Sequence, residues 1–393
     1  MKFINCFLII MGLFLIPDTV SAQNLKQKKR IVSNYDQKKL MVLKESYHQF
    51  YTNQRQKGIK YAEKYDLPQI IIYDNGEVSL FYGLNEFGIP IYRKTYSING
   101  AITVGADKLY PNGSLGLNLE GEGMIGGIWD NGGVSGSHEL LENKITQIDS
   151  PDGIADHATH VAGIMVGKQL SGEGEQARGM AYKAHLDAYD WNDDHAEMTA
   201  AAAGGLLVSN HSYGKDLIQF SQEIDLNDFF GSYNGVSVSV DEIAYEAPYY
   251  NIVVAAGNDR QNELNPEDEG YNILGSEMST AKNTIVVAAV KEVLNYTGPE
   301  SVVMSNFSSW GPTNDNRVKP DIAANGVDVY SSAAFYPPFS DNGIASDTTY
   351  VAKKGTSLSA PGVSGSLLLL QELSADLNQG DFLKAATIKA III

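Results

Sequence analysis

The residues of this chain best suited to chemistry are a serine, an aspartate, a histidine and an asparagine, each at the edge of a regular element. Ser357 lies in GTSLSAPGVSG, Gly355 to Gly365, just ahead of Ser366 and the apolar run Leu367 to Leu370. A small, flexible approach through Gly355 and Thr356 enters a helical stretch with Pro361 expected in its first turn, where amide protons lack partners anyway. Ser357 is thereby predicted at a helix N-terminus. Free N–H groups and the positive end of the helix dipole there favour negative charge, such as an oxyanion forming beside a serine nucleophile. Taken alone, the segment serves equally well as a capped core helix.

The elements that must position this serine are read from the apolar pattern. Strands are expected at Met124–Trp129, Ala184–Tyr189, Leu206–Asn210, Ile252–Ala256 and Thr284–Val290. Helices are expected near His157–Val166, Glu197–Ala203, Asp241–Ala247 and Ser359–Leu373. Short apolar strands alternating with helices imply an α/β fold, a doubly wound and mostly parallel sheet with helices on both faces. Sites in such sheets form just outside the carboxyl ends of the strands. Asp130 follows one strand there and Asn258 follows another. With His157 opening a helix, these groups make an inventory for acyl transfer: a nucleophile, a base, a carboxylate that orients the base, and an oxyanion donor.

At this point the chain resembles the subtilisin-like serine proteases. GTSLSAPGVSG is similar to their serine motif, DHATHVAG (Asp156 to Gly163) to the histidine motif, AAGND (Ala255 to Asp259) to the oxyanion segment, and GGIWDNGG (Gly126 to Gly133) to the aspartate motif. NFSSWGPTNDNRVKPDIAANG, Asn306 to Gly326, resembles the segment before the serine. The order Asp, His, Ser is the subtilisin order, and the resemblance spans roughly Gly121 to Leu373. It implies Asp130, His157 and Ser357 as the triad of a secreted endopeptidase working through an acyl-enzyme, with Asn258 in the oxyanion hole. It also implies a substrate groove edged by Leu186–Asn192 and by Ser212, Tyr213 and Gly214, where an extended peptide pairs by β-augmentation. Three positions depart from the family: Ala158 for a glycine, Trp129 for a smaller aliphatic, and Asn325 for a proline. Trp129 needs room and a partner for its N–H.

Rival readings stay beside this one. A sedolisin-like acid protease has a similar serine motif with a Glu base, and here the helix opens Asp156, His157. A catalytically inactive descendant would bind peptides in the same groove. An α/β-hydrolase esterase is disfavoured, since no Gly-x-Ser-x-Gly pentapeptide occurs. His160 and His138 read as structural histidines. Asp190, Asn192, Asp193, Asp194 and Glu197 offer oxygens that calcium would accept, but their spacing is not that of an EF-hand and a solvated acidic loop is the preferred reading. No cofactor or metal is required, and structural calcium is left open.

The chain has 393 residues and a formal net charge of −18, unevenly placed. Residues 1–22 read as a signal peptide: a basic start, an apolar stretch from Phe3 to Ile16, and a small-residue end at Ala22. The single cysteine, Cys6, falls inside it, so an exported mature chain would use neither disulfides nor thiol chemistry. Gln23 to Asp66 carries net +7, which leaves −25 from Leu67 onward. Residues 23–96 read as a small α+β module, a propeptide or accessory unit, with a helix through Met41, Leu43, Tyr47, Phe50 and Tyr51. Strands are expected near Gln69–Tyr73 and Val78–Tyr82 around an Asn75–Gly76 turn. A basic leader on an acidic body suggests association, as an intramolecular inhibitor or chaperone, and argues against nucleic acid as a partner of the body. Gly100–Gly123 reads as loop. Residues 97–393 then form the peptidase domain. Because the chain stops inside an apolar pattern at Ile391, Ile392 and Ile393, that domain is expected to be C-terminally incomplete. The expected partners are a polypeptide substrate and the leader, with no membrane anchor in the mature chain.

Overall fold

A computed structural model describes residues 23–68, 70–72, 78–84, 90–95, 101–216, 230–261, 274, 277–334 and 347–393. The expected signal peptide and the Asn75–Gly76 turn lie outside them. Among the described residues no helix is long and apolar enough to cross a membrane.

The centre is a seven-stranded sheet in the order β11-β10-β9-β7-β4-β6-β5, with every neighbouring pair parallel. Its strands are β4 (Ile125–Asp130), β5 (Ile145–Gln147), β6 (His185–Asp190), β7 (Val208–His211), β9 (Asn251–Ala255), β10 (Ile285–Val290) and β11 (Ile322–Asn325). Strands β7, β9 and β10 are buried along their whole length; β9 and β10 are the Val, Ile and Ala runs that burial on both faces demands, whereas β7 buries Ser209, Asn210 and His211 as well. Five of the seven match expected strands to within two residues; β5 and β11 are too short or too mixed to show in the pattern. Helices α3 (Asp156–Val166), α4 (Asp194–Ala203), α5 (Gly235–Glu246) and α6 (Thr356–Leu377) cover the sheet, and α7 (Ala385–Ile392) follows. A hairpin of β12 (Val327–Ser332) and β13 (Tyr350–Lys354) delivers the chain to α6.

On one side of β4 the strands follow chain order outward as β7, β9, β10 and β11, and on the other side lie β6 and then β5. β4 is flanked by β6 on one side and β7 on the other, so the order reverses there and a crevice opens at its carboxyl end. Asp130 is the last residue of β4.

The leader divides in two. Its helices are α1 (Leu25–Val32) and α2 (Gln37–Tyr65); its strands are β1 (Ile70–Ile72), β2 (Val78–Leu84) and β3 (Pro90–Thr95). Asn24 caps α1 by a capping box with Gln27, and Asp36 caps α2. Ile31, Tyr35 and Leu40 are buried in the same hydrophobic cluster as the central sheet. Ala62 and Phe81 instead form a small cluster of their own with Leu67. The core thus begins well before residue 97, and the first helix is part of it. The other leader strands join a second, four-stranded sheet in the order β1-β2-β3-β8, where β8 (Tyr213–Asp216) belongs to the body.

Candidate active site

Ser357 is the second residue of α6, entered through Gly355 at φ 147°. An L side chain rarely takes that backbone conformation, so the glycine sets the sharp approach. Pro361 lies past the first turn, deeper than the sequence pattern suggested, and its missing N–H would ordinarily bond the carbonyl of Ser357. The Ser212 hydroxyl takes that place, donating to the Ser357 carbonyl at 2.6 Å. In return the Ser357 Oγ donates to the Ser212 carbonyl at 2.8 Å. The proline inside the helix therefore frees the acceptor by which the two serines lock together. Small residues behind the turn let α6 pack closely: a Cβ on Gly365 would stand 2.6 Å from Met180, and one on Gly326 would stand 2.5 Å from Ser359 Oγ.

His157, at the start of α3, faces Asp130 at the end of β4, with its Nδ1 2.7 Å from Asp130 Oδ1. An ionised carboxylate oxygen only accepts, so Nδ1 carries the hydrogen, which in the neutral ring makes Nε2 the basic nitrogen. The Asn131 N–H also donates to Asp130 Oδ1, at 2.8 Å. Asp130 and Ser357 are 0 % exposed and His157 is 7 % exposed. A buried carboxylate bonded to the ring fixes its plane and its tautomer.

Asn258 follows β9 across Ala256 and Gly257. Its Oδ1 accepts from the Thr356 backbone N–H at 2.9 Å and from Thr356 Oγ1 at 3.0 Å. A backbone N–H can only donate, which decides the orientation of the amide and leaves Nδ2 as the group turned elsewhere. Thr356 Oγ1 also accepts from the Gly257 N–H at 3.0 Å. One threonine thus ties the asparagine to the turn that holds the serine. Its role escapes the sequence pattern, in which Thr356 is only a small residue ahead of Ser357.

Trp129 finds both room and partner. Register places Tyr189 of β6 and His211 of β7 on either side of it. The indole stacks on Tyr189 with centroids 4.2 Å apart and planes 3° apart, and on His211 at 5.3 Å and 20°. Gly127, two residues earlier on the same face, supplies the space, since a Cβ there would come within 2.7 Å of the indole. Trp129 Nε1 donates to Glu197 Oε2 at 3.1 Å. Burial, with Asp149 nearby, raises the Glu197 carboxyl to about 9, so it holds its proton at neutral pH.

The expected groove residues Ser212, Tyr213 and Gly214 are all buried, the last two in β8. There Tyr213 pairs with Thr95 and Gly214 with Lys94 of the leader strand β3. The acidic residues around the start of α4 do not form a solvated loop. Asp194 is 1 % exposed and bonded to Tyr213 and His195, and Asp193 pairs with His48 of the leader. Among the described residues no group of three or more His, Cys, Asp or Glu could hold a metal ion. His160 is buried with Nε2 3.0 Å from the Val351 carbonyl, and burial holds its pKa well below the ordinary histidine value. His138 Nε2 is 2.8 Å from the Thr349 carbonyl. Asp156 pairs with Lys353 and accepts from the Ala334 N–H.

The fold, the order of these groups and their geometry agree with one family, whose model matches residues 87–393. The chain is a subtilase. Subtilases are serine-type peptidases. The chain is 24 % identical over 370 residues to the serine protease/ABC transporter B family protein tagB of Dictyostelium discoideum, covering 69 % of this chain and 18 % of that protein. Over 92 residues it is 40 % identical to the C5a peptidase of Streptococcus pyogenes, covering 23 % of this chain and 7 % of the peptidase. It therefore spans less than a fifth of the length of these curated relatives. Among solved structures it is similar to fervidolysin from Fervidobacterium pennivorans, at 21 % identity and a TM-score of 0.48, covering 77 % of this chain and 47 % of that one.

Proposed function

We propose that this subtilase is an exported endopeptidase that cleaves polypeptides through Asp130, His157 and Ser357. The observation that carries the reading is the Asp130–His157 bond at 2.7 Å in a chain whose Ser357 stands at a helix N-terminus. In this mechanism the Ser357 hydroxyl leaves the Ser212 carbonyl and attacks the substrate carbonyl carbon while His157 Nε2 takes its proton. Asp130 steadies the imidazolium. The oxyanion is held by Asn258 Nδ2 and the Ser357 N–H. When the C–N bond breaks, His157 returns the proton to the leaving amine, and water then repeats the sequence on the acyl-enzyme. A carboxylate base in the manner of sedolisins finds no support at Asp156, which is engaged by Lys353 and Ala334.

The leader is proposed as an intramolecular occupant of the groove, removed or displaced for activity. What supports this is β3 lying antiparallel on β8, beside the serine that locks Ser357. The basic helix α2 also rests on the acidic body: Lys39 pairs with Glu246, Tyr47 donates to Glu242 at 3.0 Å and Tyr51 to Asn192 at 3.0 Å. The test is cleavage of an unfolded polypeptide by protein secreted from its host, beside Ser357→Ala. The reading expects cleavage abolished by the substitution. Equal inertness of both proteins would refute it.

A further inference from the structure

Strand β8 is an edge, and an edge that receives a peptide must be held straight from one side. Its two inward residues, Tyr213 and Lys215, share a face because side chains alternate along a strand. Each is pinned to a buried carboxylate. Tyr213 Oη donates to Asp194 Oδ2 at 2.9 Å, and Lys215 Nζ meets Glu277 Oε1 at 2.6 Å, with both of these side chains 8 % exposed. Asp194 is further satisfied by His195, whose backbone N–H and Nδ1 approach its Oδ1 at 2.9 and 2.7 Å.

The bonds around Tyr213 run in one direction. Its single hydroxyl proton goes to Asp194, so its lone pair faces His211 Nδ1 at 3.0 Å, and His211 Nε2 lies 2.9 Å from Ser209 Oγ. Tyr213 is thereby fixed between helix α4 and strand β7, and Trp191 abuts it edge-on at 5.5 Å. Trp191 follows β6, on the opposite wall of the expected groove, so the anchor ties the two walls together.

We propose that Asp194 and Glu277 are positioning residues for the peptide: from beneath, they hold the β8 edge in the register on which an extended strand pairs. β3 of the leader is one such strand, and a substrate main chain is the other. The inference deepens the peptidase reading and rests on it for the substrate, but not for the leader strand. Neither carboxylate touches the reacting atoms. Losing one should weaken pairing along the edge while leaving the chemistry at Ser357 in place.

Hydrogen exchange and kinetics test this together. In full-length Ser357→Ala protein, adding Asp194→Ala should speed amide exchange at 92–95 and 213–216 by about tenfold, the effect of one lost buried hydrogen bond. Exchange in β9 and β10 should stay unchanged. Asp194→Asn, which keeps an acceptor for Tyr213, should restore most of the protection, and Glu277→Ala should reproduce the loss. In the active protein, Asp194→Ala should raise KM about tenfold for a peptide extending four residues before the scissile bond, while kcat/KM for a one-residue ester stays within about twofold. Unchanged exchange at β8, faster exchange throughout the sheet, or equal losses on peptide and ester would overturn the proposal. If the wild type hydrolyses neither substrate, the peptidase reading fails, and the exchange result still decides whether the carboxylates hold the edge.

Discussion

The two halves of the leader are held by different physics. At its start, Ile31, Tyr35 and Leu40 enter the main core, Gln23 accepts from the Ile125 N–H at 2.9 Å at the start of β4, and Arg30 pairs with Asp381 beyond α6. Further on, Ala62 and Phe81 make a separate small cluster, and the attachment to the body is Tyr47 packed on the edge of the main core, the β3–β8 ladder and polar contacts along α2. Apolar burial in a shared core belongs to the global folding unit, whereas a ladder at one edge and exposed ion pairs can open locally. The leader therefore combines a fixed root with a releasable tip. For a leader that occupies the groove as proposed, only the tip need move to clear it.

The largest expected effect comes from breaking the root. Leu40→Ala should lower global stability by about 2–5 kcal/mol, the range for emptying a fully buried leucine site, read as a shift of the denaturant midpoint. Phe81→Ala should instead leave the main transition in place and accelerate exchange in β2 and β3. Equal shifts of the main transition by both substitutions would erase the distinction between root and tip. At the tip, His48→Ala removes the pair with Asp193, which raises the His48 pKa. A raised histidine pKa gives stability that is full below its unfolded value and lost as pH rises through the folded one. Since His48 is half exposed, the effect should be at most about 1 kcal/mol, present at pH 5 and absent by pH 9. A larger effect at high pH would reverse the assigned sign.

Within the body the sharpest effects belong to the site. Asn258→Leu should lower kcat by about 10²–10³, the range known for the oxyanion asparagine of subtilisin. Thr356→Val keeps the backbone N–H that orients Asn258 but loses the hydroxyl, so a smaller fall, about tenfold, is expected. Glu197 gives a pH signature. Its carboxyl is raised from 4.5 to about 9, so the native state binds the extra proton between those values and loses stability as pH rises through them. Thermal unfolding of wild type should therefore fall from pH 5 to pH 9 more steeply than that of Glu197→Gln. Parallel curves would show that Trp129 does not rest on a protonated acid.

The central strands were legible because burial on both faces makes them apolar runs, as in Ile285–Val290, and the site residues because each ends a strand or opens a helix. What escaped was set by partners distant in sequence. Strands β3 and β8 read PIYRKT and YGKD, too polar to show as strands, and exist because they pair. Asp194 resembles a loop acid until Tyr213, 19 residues away, is brought to it. The reach of the core into α1 was hidden because half of LKQKKRIV is basic, with Ile31 turned inward.

The claim on which the account turns is that Ser357 is a nucleophile activated by His157. It is tested most directly by treating the secreted protein with a fluorophosphonate and locating the adduct by peptide mass spectrometry. The account predicts a single phosphonylated site at Ser357 in the wild type, lost in Ser357→Ala and slowed by at least about 10³-fold in His157→Ala. An unlabelled Ser357 in folded protein, or labelling indifferent to His157, would contradict it.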